Sequence, residues 1–465
     1  MKKISLVFRT VGERTSNIAL DLAIQNIQPD QVHIIDRVKP FSLAVQQMLK
    51  IDYHCDFVVF MDADCLIVEN LAPFLQKNNA PYVDCYVLDK FRGYIHCGVH
   101  IARIDVVKAM QNIKEPKDDP KYVLRPESRI RDLAMNQLNF KKDFKRFNIF
   151  HDFCQYYRDI FAKYALRELR SRTDYQRAKL NFIQEDWEMQ DENLDFQVAK
   201  LAISYAREYL RCDASVKETA KFIENLPNIA ICELNKKNIS EKHDLTLKEV
   251  ENLSKTFKAK SEIPRKTYKI FGIGLSQTGT RYLAQALTTL GFSVIHSPDD
   301  DLTLKELLTG KYNFSILDDF DGITDITVAP FYPQLDRLSP NSKFILTLVS
   351  DKESWLKSLE AQWNMQPGED LLSEQDRNMQ YRRLLRVATY GTYSFNKERF
   401  SYVYDLHCKN VIDYFKDRPE SLLILNADTG EGWERLSAFL NQPLLDNPFK
   451  SKGSTKGKIK QELYN

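Results

Sequence analysis

Two carboxylates spaced two residues apart, Asp62 and Asp64, follow the uncharged run Phe57-Val-Val-Phe-Met61. The β-branched and aromatic content of that run reads as a buried strand. If the strand continues through both acids, its period of two sets the carboxylates on one side of its carboxyl end. So placed they repel, and a hard divalent cation with oxygen ligands relieves the repulsion. An ion held there would grip a diphosphate. Asp is also a common turn residue, so the same pair equally suits the plain end of a strand. A second stretch with chemical content is Gly274-Leu-Ser-Gln-Thr-Gly-Thr-Arg281, set between an apolar run and a helical pattern. A strand, a tight glycine loop and a helix beginning near Thr280 cradle a phosphate on backbone N–H groups at the helix N-terminus. The lysine pattern of ATP-hydrolysing loops is missing, so ATP hydrolysis is not indicated.

The elements that must position the first pair alternate. Ile4–Phe8 and Gln31–Asp36 read as strands, with helical patterns after each, ahead of the strand at Phe57. This alternation predicts βαβ units, a mainly parallel sheet and ligands beyond the strands' carboxyl ends. Arg9, Thr10 and Asp36 fall at those ends and are candidates for the base, ribose or phosphate of a nucleotide, or are solvated loop residues. His96 and His100 mark a zone of candidate ligands or bases, although a lone histidine is more often simply packed. His151 and Asp152 follow the apolar run Phe147–Phe150. Asp152 there also suits a helix cap.

The apolar strand, Asp-Ala-Asp and the apolar pair Leu66-Ile67 resemble the nucleotide-sugar glycosyltransferases of the GT-A fold. The resemblance implies that Asp62 and Asp64 bind Mn2+ or Mg2+ and the donor diphosphate, that His151 completes the metal site, and that Arg9, Thr10 and Asp36 contact the nucleotide sugar. It also implies that the segment Phe91–Asp105 lines the acceptor side.

From Tyr268 on, the chain resembles the sulfotransferases that use 3′-phosphoadenosine-5′-phosphosulfate (PAPS). The match rests on the loop, on Gly291–His296, on Asp318–Tyr332, on Lys343–Val349 leading into SDKESWLKS, and on later motifs in the family's order. The resemblance implies PAPS contacts from Ser276, Gln277, Thr278, Gly279, Thr280, Arg281, Ser350 and Ser358. Two positions depart from the family. Gln277 stands where a loop Lys or Arg meets the phosphosulfate, and Ser350 stands where an arginine meets the 3′-phosphate. Arg281 can restore one charge, and Lys450, Lys452 and Lys456 are further candidates for the 3′-phosphate. Each exchange of a cation for a neutral donor forfeits about 1–2 kcal/mol of binding. With Gln277 facing the transferring group, Asp325, Asp319 and His296 are the candidate bases, all read as lying at strand ends near the loop; each also suits a turn or cap. Arg382, Arg383 and Arg386 share one helical face that suits an anionic acceptor or plain solvent.

The chain has 465 residues, enough for two or three domains. Its 66 Lys and Arg nearly balance 64 Asp and Glu, so no global field draws it to nucleic acid or a membrane. Eight scattered cysteines without a CxxC pair argue for reduced thiols and against structural zinc. No apolar run approaches the roughly 20 residues of a bilayer span, and the run after Lys3 is too short for a signal core. A cytoplasmic protein without a transmembrane segment is expected. The expected organisation is α/β in two domains: residues 1–240 GT-A-like with a mixed to mostly parallel sheet, a lysine-rich linker at 241–266, a parallel phosphate-loop domain at 267–450, and a basic tail at 451–465. The expected function is glycosyl transfer from a nucleotide sugar plus sulfuryl transfer from PAPS onto a glycan or glycolipid. Its rivals are a glycosyltransferase whose second domain only binds ligand, and a non-catalytic glycan-binding scaffold.

Overall fold

The computed structural model describes residues 1–172, 193–253, 268–364, 377–426 and 432–444, together with seven positions between 176 and 187. The second half of the lysine-rich stretch, from residue 254 to 267, and Lys450, Lys452 and Lys456 lie outside the described residues. The chain divides into two compact units, Met1–Thr256 and Phe257–Asn465.

The first unit is built on seven strands: β1 (Ile4–Thr10), β2 (Gln31–Asp36), β3 (Phe57–Asp62), β4 (Cys65–Ile67), β5 (Tyr82–Asp89), β6 (Gly93–Arg103) and β7 (Asp143–His151), in the order β2-β1-β3-β6-β5-β7-β4. Helices Ser16–Ile27 and Phe41–Leu49 supply the crossovers that keep β2, β1 and β3 parallel. The sheet is mixed, within the expected range of mixed to mostly parallel. β5 returns directly into β6 through a tight turn, and only antiparallel neighbours can be joined that briefly, so β6 runs against both β3 and β5. Phe57 to Met61 are all buried, as a central strand covered on both faces requires. On one face Val58 and Phe60 pack with Val45, Met48, Val106 and Met110, each such side chain contributing about 1.5–3 kcal/mol on burial. A second apolar cluster joins helices Tyr157–Leu169 and Leu194–Tyr209 around Phe91 and Trp187, and the Trp187 indole N–H donates to the Phe91 carbonyl at 2.9 Å.

The second unit has five strands, β8 (Ile270–Gly272), β9 (Val294–His296), β10 (Gly322–Thr324), β11 (Lys343–Leu348) and β12 (Leu422–Asn426), in the order β12-β11-β8-β10-β9. All four pairings are parallel. From β8 the chain passes to β9 at one edge, returns to β10 beside β8, and then crosses to β11 on the other side, which opens a crevice at the carboxyl end of β8. Helix Thr280–Thr289 lays Leu283 and Leu287 on Ile270 and Ile345. Behind the loop after β8, Leu275, Trp355, Tyr390 and Phe400 form a separate cluster, in which the Tyr390 and Phe400 rings stack at 4.1 Å.

Candidate functional site

In the first unit the chain turns at Ala63-Asp64 immediately after β3. The expectation that the strand runs through both acids fails there: β3 ends at Asp62, and the two carboxylates are separated by a turn rather than by strand pleating. They answer to different cations. Asp62 Oδ1 accepts from Arg9 Nε at 2.8 Å, and Arg9 Nη1 donates to Glu127 Oε2 at 2.6 Å. Arg9 is only 4% exposed, and its guanidinium holds Asp62 and Glu127. Asp64 instead faces Lys163, whose ammonium bridges Asp64 Oδ2 and Asp152 Oδ1 and lies 3.4 Å from His151 Nε2. His151, the last residue of β7, reaches Asp64 Oδ1 at 3.6 Å, and its Nδ1 is bound to Asp89 Oδ2 at 2.6 Å.

Burial pushes the Asp62 carboxyl up to about 6, with Asp64 and Glu127 adding to the shift against the pull of Arg9. Burial acts upward on Asp64 as well, but the Lys163 ammonium and His151 overcome it and hold that carboxyl well below the usual range. Thr10 is drawn into the β1 loop, its hydroxyl donating to Glu13 Oε2 at 2.7 Å and accepting from the Gly12 N–H at 3.0 Å. Asp36 is exposed at the carboxyl end of β2, next to Thr10 in register. His100 is bound through Nδ1 to the buried Asp84 at 2.6 Å, and His96 packs on Phe144 and Tyr86.

Asp64, Cys65 and His151 lie close enough to share a divalent ion, with Asp152 facing Asp64 across Lys163. A carboxylate on Nδ1 orients the imidazole so that Nε2 faces the candidate position. Lys163 already stands among the same oxygens, however, so an ion and this ammonium exclude one another. Lys163 was not among the residues singled out from sequence. Its signal was present as a stripe of charge, Asp159, Lys163, Arg167 and Arg170, at helical spacing on a segment whose other side buries Ile160, Phe161 and Tyr164.

In the second unit the loop after β8 forms as expected, and helix Thr280–Thr289 opens on Gly279 at φ 98°. Gly274 is required by contact: a Cβ there would lie 1.8 Å from Thr347 Oγ1 and 2.5 Å from Thr278 Oγ1. The two hydroxyls bond to each other at 2.6 Å, and Thr278 Oγ1 also donates to the Leu275 carbonyl at 2.8 Å. Ser276 is clamped from behind, its N–H donating to the Tyr390 hydroxyl at 3.2 Å and its carbonyl accepting from Trp355 Nε1 at 2.9 Å. Gln277 sits at the loop tip at φ 64°, and Arg281 lies in the first turn of the helix. The opening turn of a helix is in general a favourable place for an anion.

Asp325 follows β10 directly and is held at φ 100°, a conformation costing on the order of 1–3 kcal/mol for a non-glycine residue. Its N–H donates to the Gly272 carbonyl at 3.1 Å, and its own carbonyl accepts from Val328 and Ala329. Burial raises its carboxyl to about 6, against hydrogen bonds from the Ile326 N–H and Ser297 and the charge of Arg281. His296 Nδ1 lies 3.0 Å from Thr324 Oγ1 at the same end of the sheet. Asp319 does not belong with them. It precedes β10, and because β10 runs parallel to β8, it lies at the opposite end from the loop. Ser350, two residues past β11, exchanges hydrogen bonds with Asn426 at 3.2 and 3.0 Å, and Ser358 is half-buried on helix Lys352–Asn364. Arg386 stacks on Trp363 at 4.2 Å and Arg383 on Tyr393 at 5.7 Å, so that face of helix Arg377–Tyr390 is not simply solvated. All eight cysteines are free thiols. Among the described residues no helix is long and apolar enough to cross a membrane.

The second unit is thus a parallel sheet with a glycine-shaped loop at its switch point and a strained carboxylate beside it. Residues 269–457 match the family model of the sulfotransferase domain, and the second unit carries a domain of that family. No curated protein matches the chain. Among solved structures, a mannosyltransferase from Pyrobaculum calidifontis in complex with GDP-Man and Mn2+ is 10% identical, covering 51% of this chain and 88% of its own, with a TM-score of 0.26. A glycosyltransferase involved in glycosylation of the major capsid of PBCV-1 is 10% identical, covering 33% of this chain and 94% of its own, at 0.22. A 4-diphosphocytidyl-2C-methyl-D-erythritol synthase from Anaerococcus prevotii is also 10% identical, covering 32% and 90%, at 0.24. Likenesses this faint carry no part of the functional reading.

Proposed function

We propose that the chain is a two-headed carbohydrate-modifying transferase, moving a glycosyl group from a nucleotide sugar in the first unit and a sulfuryl group from PAPS in the second. The observation that carries the reading is the loop Gly274–Arg281 within a matched sulfotransferase domain. In that unit the loop's N–H groups and Arg281 bind the 5′-phosphosulfate, and Ser350 and Ser358 lie toward the 3′-phosphate. Asp325 takes the proton from the acceptor hydroxyl as it attacks sulfur, with His296 as the second candidate base. Gln277 offers the departing phosphate a neutral donor where a cation would be stronger, so transfer is slow rather than absent.

The glycosyl half is supported by the acids after β3. Once Lys163 withdraws from them, Asp64, His151 and Asp152 would hold Mn2+ or Mg2+, which when bound neutralises the donor diphosphate. Asp62, fixed by Arg9, orients the sugar side, while Asp36 and the Thr10 loop take the nucleotide. A glycan or glycolipid is the common acceptor, and having both heads on one chain raises the local concentration of the shared intermediate.

The test is a mass-spectrometric assay of an oligosaccharide pool incubated with PAPS, nucleotide sugars and manganese. Asp64→Asn should abolish only hexose addition, and Gly274→Val only sulfation. If sulfation is missing in the native protein while hexose addition persists, the second unit is a ligand-binding relic. Absence of both leaves a scaffold.

A further inference from the structure

Arginines in the first unit are, as a rule, matched to carboxylates: Arg9 to Asp62 and Glu127, Arg129 to Asp119, Arg131 to Asp132, and Arg207 to Glu168. Others, among them Arg172, which bonds the Leu210 and Ala206 carbonyls, have no such match, and three of these arginines form a group with Arg92. Arg92 sits in the β5–β6 turn, and Arg125 lies at the junction of helices Pro120–Leu124 and Pro126–Leu138. Arg167 is in the last turn of helix Tyr157–Leu169, and Arg170 caps that helix. Arg170 Nε donates to the Leu124 carbonyl at 3.0 Å, which pins the helix end to that junction. Among the described residues Arg125, Arg167 and Arg170 form no ion pair with any carboxylate. Arg92 has only Asp89, at 2.8 Å, which His151 already shares, and its Nε is buried without a partner. Burial, followed by the repulsion of its neighbours, draws the Arg167 guanidinium down to about 10, and Arg125 is lowered by the same causes.

Like charges without carboxylate partners are costly where they are half-buried, as Arg167 and Arg170 are while Arg125 is exposed beside them, and the ordinary resolution is an anion that is not part of the chain. A planar guanidinium fork fits the oxygens of a tetrahedral anion. Topology says which part of a substrate would bring it. β3, which ends in Asp62, divides the sheet into β1 and β2 on one side and β6, β5 and β7 on the other. Arg92 joins β5 to β6, Arg125 lies between β6 and β7, and Arg167 and Arg170 end the helix that follows β7. All four therefore come from the half of the fold away from β2, where the nucleotide is assigned.

We propose that Arg92, Arg125, Arg167 and Arg170 form a binding site for a sulfate or phosphate ester on the acceptor, so that the first unit acts on an already anionic glycan. This rests on the glycosyl-transfer reading of that unit.

The probes are glucose 6-sulfate, glucose 6-phosphate and glucose, titrated calorimetrically into the full chain, with uridine diphosphate as competitor. At least one ester should bind about tenfold or more tightly than glucose, equivalent to about 1.4 kcal/mol, and should not be displaced by uridine diphosphate. The ratio of the two esters tells which one the site is built for. The double variant Arg125→Gln/Arg167→Gln should lose the preference while melting no lower than the native protein, because removing unpaired like charges relieves repulsion. Equal binding of all three sugars, or a preference unchanged in the double variant, overturns the proposal. Displacement by uridine diphosphate also overturns it, by assigning the arginines to a donor diphosphate. The probes carry no nucleotide and need no transfer, so the site can stand if nucleotide sugars fail to bind, and can fall while they bind normally.

Discussion

Replacing Lys163 with methionine removes an ammonium and keeps most of the side chain's bulk. In the native protein that ammonium is shared by Asp64 and Asp152, whose side chains are 13% and 2% exposed, and is itself 30% exposed. Stripping a buried carboxylate of its partner costs about 3–5 kcal/mol. The partial exposure of Lys163 places this case near 3 kcal/mol. For a unit of this size that loss lowers Tm by about 6–12 °C. The same reasoning gives the remedy. Two carboxylates and His151 Nε2 without their ammonium are a better cation site than before, so manganese should bind Lys163→Met at least about tenfold more tightly than the native chain and restore much of the lost Tm. Scanning calorimetry with and without manganese, alongside a manganese titration of both proteins, measures each part. A variant that melts with the native protein and binds manganese no better would refute the idea that lysine and metal compete for one cradle.

Other perturbations address the second unit. Gly274→Ala pushes a methyl group into the Thr278–Thr347 hydroxyl pair; binding of the desulfated nucleotide should drop at least about tenfold with the sheet intact by circular dichroism. Gln277→Lys adds a cation at the loop tip and should tighten that binding by about tenfold, read by calorimetry. Asp325, raised to about 6 by burial, is protonated below that pH and a competent base above it. Sulfuryl transfer should therefore rise with pH to a plateau, with a midpoint near 6, and Asp325→Asn should remove the step. Because a raised carboxyl pKa means that ionisation opposes folding, the second unit should also lose stability as pH climbs from the ordinary aspartate value through about 6, and Asp325→Asn should abolish that loss.

The reach of the sequence differed between the two units for physical reasons. In the second, the loop is local: Gly274 and Gly279, a strand before and a helix after lie within a dozen residues, so their order alone conveys the geometry. Asp325 was legible as a strand-end residue, but its left-handed backbone was not, because that conformation is imposed by the bond to Gly272 on a neighbouring strand. Asp319 misled because a position near a strand does not say at which end it falls until the strand's first residue is known. In the first unit the acids announced themselves, yet what they touch comes from far along the chain: Glu127 for Arg9, and Lys163 and Asp152 for Asp64. The parallel half of the sheet followed from βαβ alternation, whereas the antiparallel half depends on a hairpin turn at Lys90–Arg92 that carries no asparagine-glycine signature.

Calorimetric titration of the intact protein with 3′-phosphoadenosine-5′-phosphate, beside Gly274→Ala and Gln277→Lys, tests the central claim that the second unit retains a working PAPS site. The account predicts a single weak site in the native chain, lost in the first variant and strengthened in the second. No heat from the native protein, and none from Gln277→Lys, would contradict it.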